Sequence, residues 1–231
     1  MMQNVTRAPH PTTTTSLGIA VVCSVTFLVI LGLLHFLEPE FDPTWRMISE
    51  YEIGAYGWLM RMAFFCWGAG VLAVLIALRP MLHTLGGKIG WGWLGLIGFA
   101  LFGAGVFVTN AITDTTPNLS NTLHSICGAV VILTFPIASA LIVGSLAQNK
   151  AWAANRRRLF WVEVFVWLGM VAFFGSISVS RVINPSAGRV GTEVFLGWPN
   201  RVMVIIYHVW LIVVALGAKS FINLESLINY E

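Results

Sequence analysis

Six apolar runs, each close to the roughly 20 residues a helix needs to cross a hydrocarbon core, constrain this chain more than any other feature. They are Leu17–Leu37, Gly57–Leu78, Ile89–Val108, Leu123–Ala147, Leu159–Val179 and Val202–Ala218. The runs are continuous rather than alternating, which excludes a lipid-embedded barrel. With no water to satisfy backbone amides, each must be a helix. Charged residues make up 10% of the chain and hydrophobic residues 57%, against roughly 25% charge in soluble domains. Together with a mean hydropathy of +0.81, this excludes a soluble globular domain and a disordered chain. The expected fold is all-α: a polytopic membrane bundle of six transmembrane helices.

The first run is too long for a signal peptide and no small-x-small cleavage site follows it, so it reads as an uncleaved first helix. The expected organisation is a mobile, Thr- and Pro-rich tail over 1–16, a membrane domain over 17–218 and a C-terminal tail over 219–231. Cys23, Cys66 and Cys127 lie inside apolar runs, which argues against a disulfide framework. No basic stripe interleaved with aromatics is present, so nucleic acid is not an expected partner.

Orientation follows from the short-loop lysines and arginines. The side holding both termini and the even loops carries Arg7, Arg79, Lys88, Lys150, Arg156, Arg157, Arg158 and Lys219; the odd-loop side carries Arg46, Arg61, Arg181, Arg189 and Arg201. Acids lean the other way, with Glu38, Glu40, Asp42, Glu50, Glu52, Asp114 and Glu193 all on the odd side. Both termini are therefore expected in the cytoplasm of a bacterium, with loops one, three and five outside its plasma membrane. Trp45, Trp58, Trp91, Trp93, Trp152, Trp161 and Trp198 fall near run ends, as an interfacial belt requires.

Within this frame the third run is glycine-rich and reads as a close-packing helix at the bundle centre. Pro136 should kink the fourth by freeing a carbonyl. In loop one, Asp42-Pro43 resembles an N-cap and first-turn proline, so a short interfacial helix is expected from about Pro43 to Ile53. Loop five is glycine-punctuated from Gly188, and Pro199 should open the sixth helix.

Ionisable groups inside or at the rim of membrane helices are costly and mark candidate sites. Arg61, His124, Arg201, His208 and His35 lie in the odd-loop half, with Glu50, Asp114 and Arg181 just beyond; in the other half only Glu163 lies in a run, where it could pair with Arg158. Arg201 and His208 share a face of the sixth helix. The binding candidates are thus Glu50, Arg61, Asp114, His124, Arg201 and His208. Glu50 would pair with Arg61 or Arg201, Asp114 would set the His124 tautomer, and Arg201 would hold an anion. Each also has a structural reading: Arg61 can snorkel or pair with Glu50 or Glu52, Arg201 can anchor the interface, and one backbone carbonyl would satisfy His208.

Three chemistries fit these residues. A metal-free pocket would bind an amphiphilic or anionic small molecule, such as a lipid, from the outer side. A membrane-embedded hydrolase would use Asp114 and His124 as catalytic groups. Its zinc form would draw ligands from His124, His208, Asp114 and His35, although no HxxxH or HExxH spacing supports a metal site. A haem would need an axial pair such as His124 and His208. No cofactor is specified by the sequence, and a structural or regulatory membrane partner is the third class.

Short motifs complete the reading: Ile48-Ser49-Glu50-Tyr51 with Gly54, Phe107-Val108-Thr109 with Asp114, Leu123-His124, and Gly197-Trp198-Pro199-Asn200-Arg201. In this order they resemble the bacterial and archaeal membrane family catalogued as domain of unknown function 998, over roughly residues 17–218. The resemblance implies six membrane helices and no assigned activity. It maps the family's polar positions to Ser49, Glu50, Asp114, His124 and Arg201. One departure is that Asn110-Ala111-Ile112-Thr113 precede Asp114, so Asn110 could occupy the family's aspartate position.

Overall fold

The computed structural model describes residues 11–116, 118–184 and 191–228. Six long helices run in alternating directions: α1 (Pro11–Leu37), α2 (Gly57–Leu78), α3 (Leu85–Val106), α4 (Leu119–Gln148), α5 (Arg156–Ile183) and α6 (Gly197–Ile228). All six are long and apolar enough to cross a membrane. The chain is an all-α, multi-pass membrane protein.

Helices α3 and α4 start about a turn before their apolar runs, because polar flanking residues cap them. Thr84 Oγ1 accepts the Gly87 N–H at 3.0 Å ahead of α3, and Asn118 Oδ1 accepts the Ser120 N–H at 2.8 Å ahead of α4. Helix α1 is described from Pro11, inside the stretch expected as tail. Helix α6 starts at Gly197, which puts Pro199 in its first turn, and continues past the expected end to Ile228. The parts of these expectations that fall before Pro11, on 188–190 and after Ile228 lie outside the described residues.

Sequential helices pack as neighbours, and α6 closes the ring against α1 while also touching α2. The glycines of α3 do let helices approach closely: a Cβ at Gly90 would stand 2.9 Å from the Ala138 carbonyl of α4. Yet α3 is wedged between α2 and α4, and the most enclosed spans are α6 and α2. Pro136 lies inside α4, and the carbonyl it leaves free acquires a partner. The Ile132 carbonyl that Pro136 cannot engage accepts the Tyr207 hydroxyl of α6 at 3.2 Å, with the Tyr207 ring stacked on Phe135. The aromatic belt is incomplete, because Trp152 is fully buried against Gly217.

Loop one departs from a regular helix. Asp42 Oδ1 accepts both the N–H and the hydroxyl of Thr44 at 2.8 Å, closing a local turn instead of capping a helix. The helical part shrinks to a 3-10 segment, Ile48–Ile53.

Candidate functional site

The odd-loop end is built by loop one docking onto the start of α6. Gly197 donates its N–H to the Thr44 carbonyl at 3.0 Å. A Cβ there would meet the Pro43 and Arg46 carbonyls at 2.4 and 2.6 Å, so only glycine permits this approach. Asn200 Oδ1 accepts the Ile48 N–H at 3.1 Å. Arg201, 1% exposed, donates to His35 Nε2 (2.8 Å), the Arg46 carbonyl (2.6 Å), the Gly197 carbonyl (3.0 Å) and the Tyr51 hydroxyl (3.1 Å). The motif at the sixth helix and the Ile48–Tyr51 motif are two halves of one joint.

Glu50 ties this joint to loop three. Its Oε1 accepts from Arg46 at 2.6 Å and from the Ile112 N–H at 2.8 Å, and its Oε2 accepts the Met47 N–H at 2.9 Å. Gly54 supports the same loop from behind. The Glu38 carboxylate, which accepts the Tyr56 N–H at 2.6 Å, would lie 2.1 Å from a Cβ at Gly54.

Beneath the two loops lies a cavity of about 330 Å³. Its rim is polar, with Ser49, Glu50, Asn110, Asp114, Asn121 and Asn200. Its floor is apolar and comes from the helices: Phe64 and Trp67 of α2, Leu101 of α3, Val131 of α4 and Val204 of α6. Trp67 and Val131 lie ten and twelve residues into their helices, roughly 15 and 18 Å along the axis. Gly128 opens the α4 wall, since a Cβ there would meet nothing within 4 Å.

His124 stands where rim meets floor. Its Nδ1 lies 2.7 Å from the Phe107 carbonyl, 3.1 Å from the Ala104 carbonyl and 3.4 Å from Glu52 Oε2. Two backbone carbonyls facing one ring nitrogen require that it carry the hydrogen. In the neutral ring Nε2 is then the acceptor. Glu52 also accepts the Thr109 N–H at 3.1 Å. Burial pushes its carboxyl up to about 8, against the opposing pull of the Thr109 N–H and the Arg61 guanidinium.

The structure therefore brings Glu50, Asp114 and His124 around one cavity and leaves Arg61, Arg201 and His208 outside its lining. Several pairings differ from the sequence expectation. Glu50 pairs with Arg46, not with Arg61 or Arg201. Arg201 spends its guanidinium on protein acceptors. Asp114 does not touch His124. It is exposed and held below the usual carboxylate range by the Thr116 N–H and hydroxyl, and its Oδ2 accepts from Asn110 at 3.1 Å. Asn110 and Asp114 thus share the rim. Glu163 accepts from Ser139 at 3.0 Å, and no ion pair to Arg158 forms among the described residues. His208 is 0% exposed, stacked on Phe27 at 4.1 Å and tilted against Trp67, with neither ring nitrogen bonded.

Among the described residues no three His, Cys, Asp or Glu side chains stand in a metal-holding arrangement. His35 is committed to the Leu31 carbonyl and Arg201, and His208 is walled in by rings. Glu52 is the site residue the sequence reading underrates. The signal on offer was a second buried-side acid, Glu50-x-Glu52, ahead of a helix that carries Arg61.

No curated protein and no solved structure matches the chain. A family model described as "Protein of unknown function (DUF998)" matches residues 21–217. That span takes in all the motifs that build the joint and the cavity, so the chain belongs to the DUF998 family.

Proposed function

We propose that this protein binds an amphiphilic small molecule in the odd-loop cavity, its apolar tail on the Trp67–Val131 floor and its head among the rim amides, carboxylates and His124. The observation that carries this reading is the cavity itself, polar at the loops and apolar between the helices. Among the described residues its lining includes no lysine or arginine but two carboxylates, three asparagines and a histidine acceptor. The chemistry favours a hydroxyl- or amine-bearing head over an anion. The lysine and arginine bias supports an outward-facing cavity in a bacterial plasma membrane, with both termini cytoplasmic.

Three photoreactive probes sharing one alkyl chain and bearing hydroxyl, ammonium or carboxylate heads test the proposal on the full chain. Hydroxyl and ammonium probes should label peptides containing Trp67 and Val131, and Gly128→Trp should abolish the labelling. Equal labelling by all three heads, or labelling unchanged by Gly128→Trp, would overturn it.

A hydrolytic reading is favoured by one observation, the fixed tautomer of His124. With Nδ1–H held by Phe107, Nε2 is available as a general base toward water attacking an ester in the cavity. The expected signature is hydrolysis of a short-chain aryl ester that is lost in His124→Gln. No turnover above a detergent blank would exclude it.

A further inference from the structure

A second concave site lies at the opposite end of the bundle. A groove of about 460 Å³ runs between α4 and α5, walled by Val143 and Ala147 on one side and Phe160, Val164 and Leu168 on the other. On α5 its lining runs from Arg156 to Val171, fifteen residues or roughly 22 Å of helix, longer than one leaflet's share of a core about 30 Å thick. Helix α5 is the least enclosed of the six spans.

The groove's rim is strongly positive. Arg156 lines it, Arg157 and Arg158 follow in the same helical turn, and all three are exposed. From Leu119 to Ile183 the chain holds only one carboxylate, Glu163, and this lies within the groove wall, bonded to Ser139. The first turn of α5 adds the positive end of a helix dipole. A second copy of the chain in the same membrane orientation, packed two-fold on this face, would set its own three arginines against these. The charge pattern thus disfavours a second copy and complements an anion.

We propose that this groove binds an anionic phospholipid of the even-loop leaflet, one acyl chain lying along α4 and α5 and the phosphate held by Arg156 and its neighbours. The site is independent of the odd-loop cavity.

Native mass spectrometry of the full chain, released from detergent after exchange with phosphatidylglycerol or phosphatidylcholine of identical chains, tests it. Phosphatidylglycerol should be retained preferentially. Arg156→Gln should weaken its retention about fivefold, in line with roughly 1 kcal/mol per cationic side chain near an anionic surface. Ala147→Phe, which fills the groove without touching a charge, should weaken retention at least as much. Val164→Phe on the facing wall repeats the test if Ala147→Phe fails to show a cooperative thermal transition. Equal retention of the two lipids, or a preference that survives Arg156→Gln, would overturn the head-group assignment. Retention unaffected by both fillers would show anion capture by the rim alone and overturn the groove. A lipid-free dimer dispersed by Ala147→Phe would assign the face to a second copy instead.

Discussion

Glu52 Oε2 stands 3.4 Å from His124 Nδ1, so a carboxyl from loop one meets an imidazole from the fourth membrane span. The contact sits beside the Thr109 N–H and the Phe107 carbonyl. Loop one, the end of α3 and the start of α4 therefore converge on one polar point at the wall of the cavity. Changes in any of the three should be read out there.

Glu52 supplies a pH dependence. Its carboxyl is raised from an ordinary value to about 8 by burial, so the folded state favours the protonated form. That stabilisation is complete below the unfolded value near 4.5 and is lost as pH rises through about 8. Thermal stability in detergent should fall by about 4 kcal/mol between pH 5 and 9. Glu52→Gln should flatten the profile, and a Glu52→Gln profile as steep as that of the parent would show that another group titrates.

Arg201 is assigned to the joint and not to a ligand. Arg201→Met strands His35 Nε2, the Tyr51 hydroxyl and the Arg46 carbonyl. The cost should be on the order of 3 kcal/mol in equilibrium or thermal unfolding. A variant of parental stability that had lost only probe labelling would return Arg201 to the binding site.

Gly197→Ala forces a Cβ within 2.4 Å of a backbone carbonyl that has no flexible way to retreat. Loop one must lift, at a cost of about 2 kcal/mol. Limited proteolysis between Thr44 and Ile48 should accelerate in this variant and not in Gly175→Ala, where a Cβ meets nothing within 4 Å.

Tyr207 and Pro136 should be coupled. Tyr207→Phe leaves the Ile132 carbonyl unbonded and should cost about 1 kcal/mol. In a Pro136→Ala background the restored N–H of residue 136 can take that carbonyl, and the cost should shrink. A double-mutant cycle on thermal unfolding measures the coupling, and strict additivity would deny it.

The proposed preference for a hydroxyl-bearing head gives His124 Nε2 the role of acceptor. His124→Gln should reduce labelling by the hydroxyl probe about tenfold, consistent with loss of one to two hydrogen bonds. Asn200→Asp, which also disturbs the bond to Ile48, should lower thermal stability as well, and comparing the two separates binding from docking of loop one.

Six spans, their order and the carbonyl freed by Pro136 were legible in the chain because each is a local property: twenty apolar residues in a row, or a missing N–H, has the same consequence wherever the helix packs. The motifs too were visible, and the sequence marked Glu50, Asp114, His124 and Arg201 by the cost of putting charge near lipid. That cost says a polar group needs partners, not which ones. Arg201 found His35, Tyr51 and two carbonyls; Glu50 found Arg46 and loop three; His124 found Phe107 and Glu52. Those choices depend on how residues from opposite ends of the chain are turned toward one another when α6 closes against α1 and loop one drops onto its first turn. Local sequence by itself determined the six helices and which side chains could not be left alone in a membrane. Only the tertiary structure decided which of them were used up in holding the joint and which were left facing a cavity, because hydrogen-bond partners are set by distance in space and not by separation along the chain.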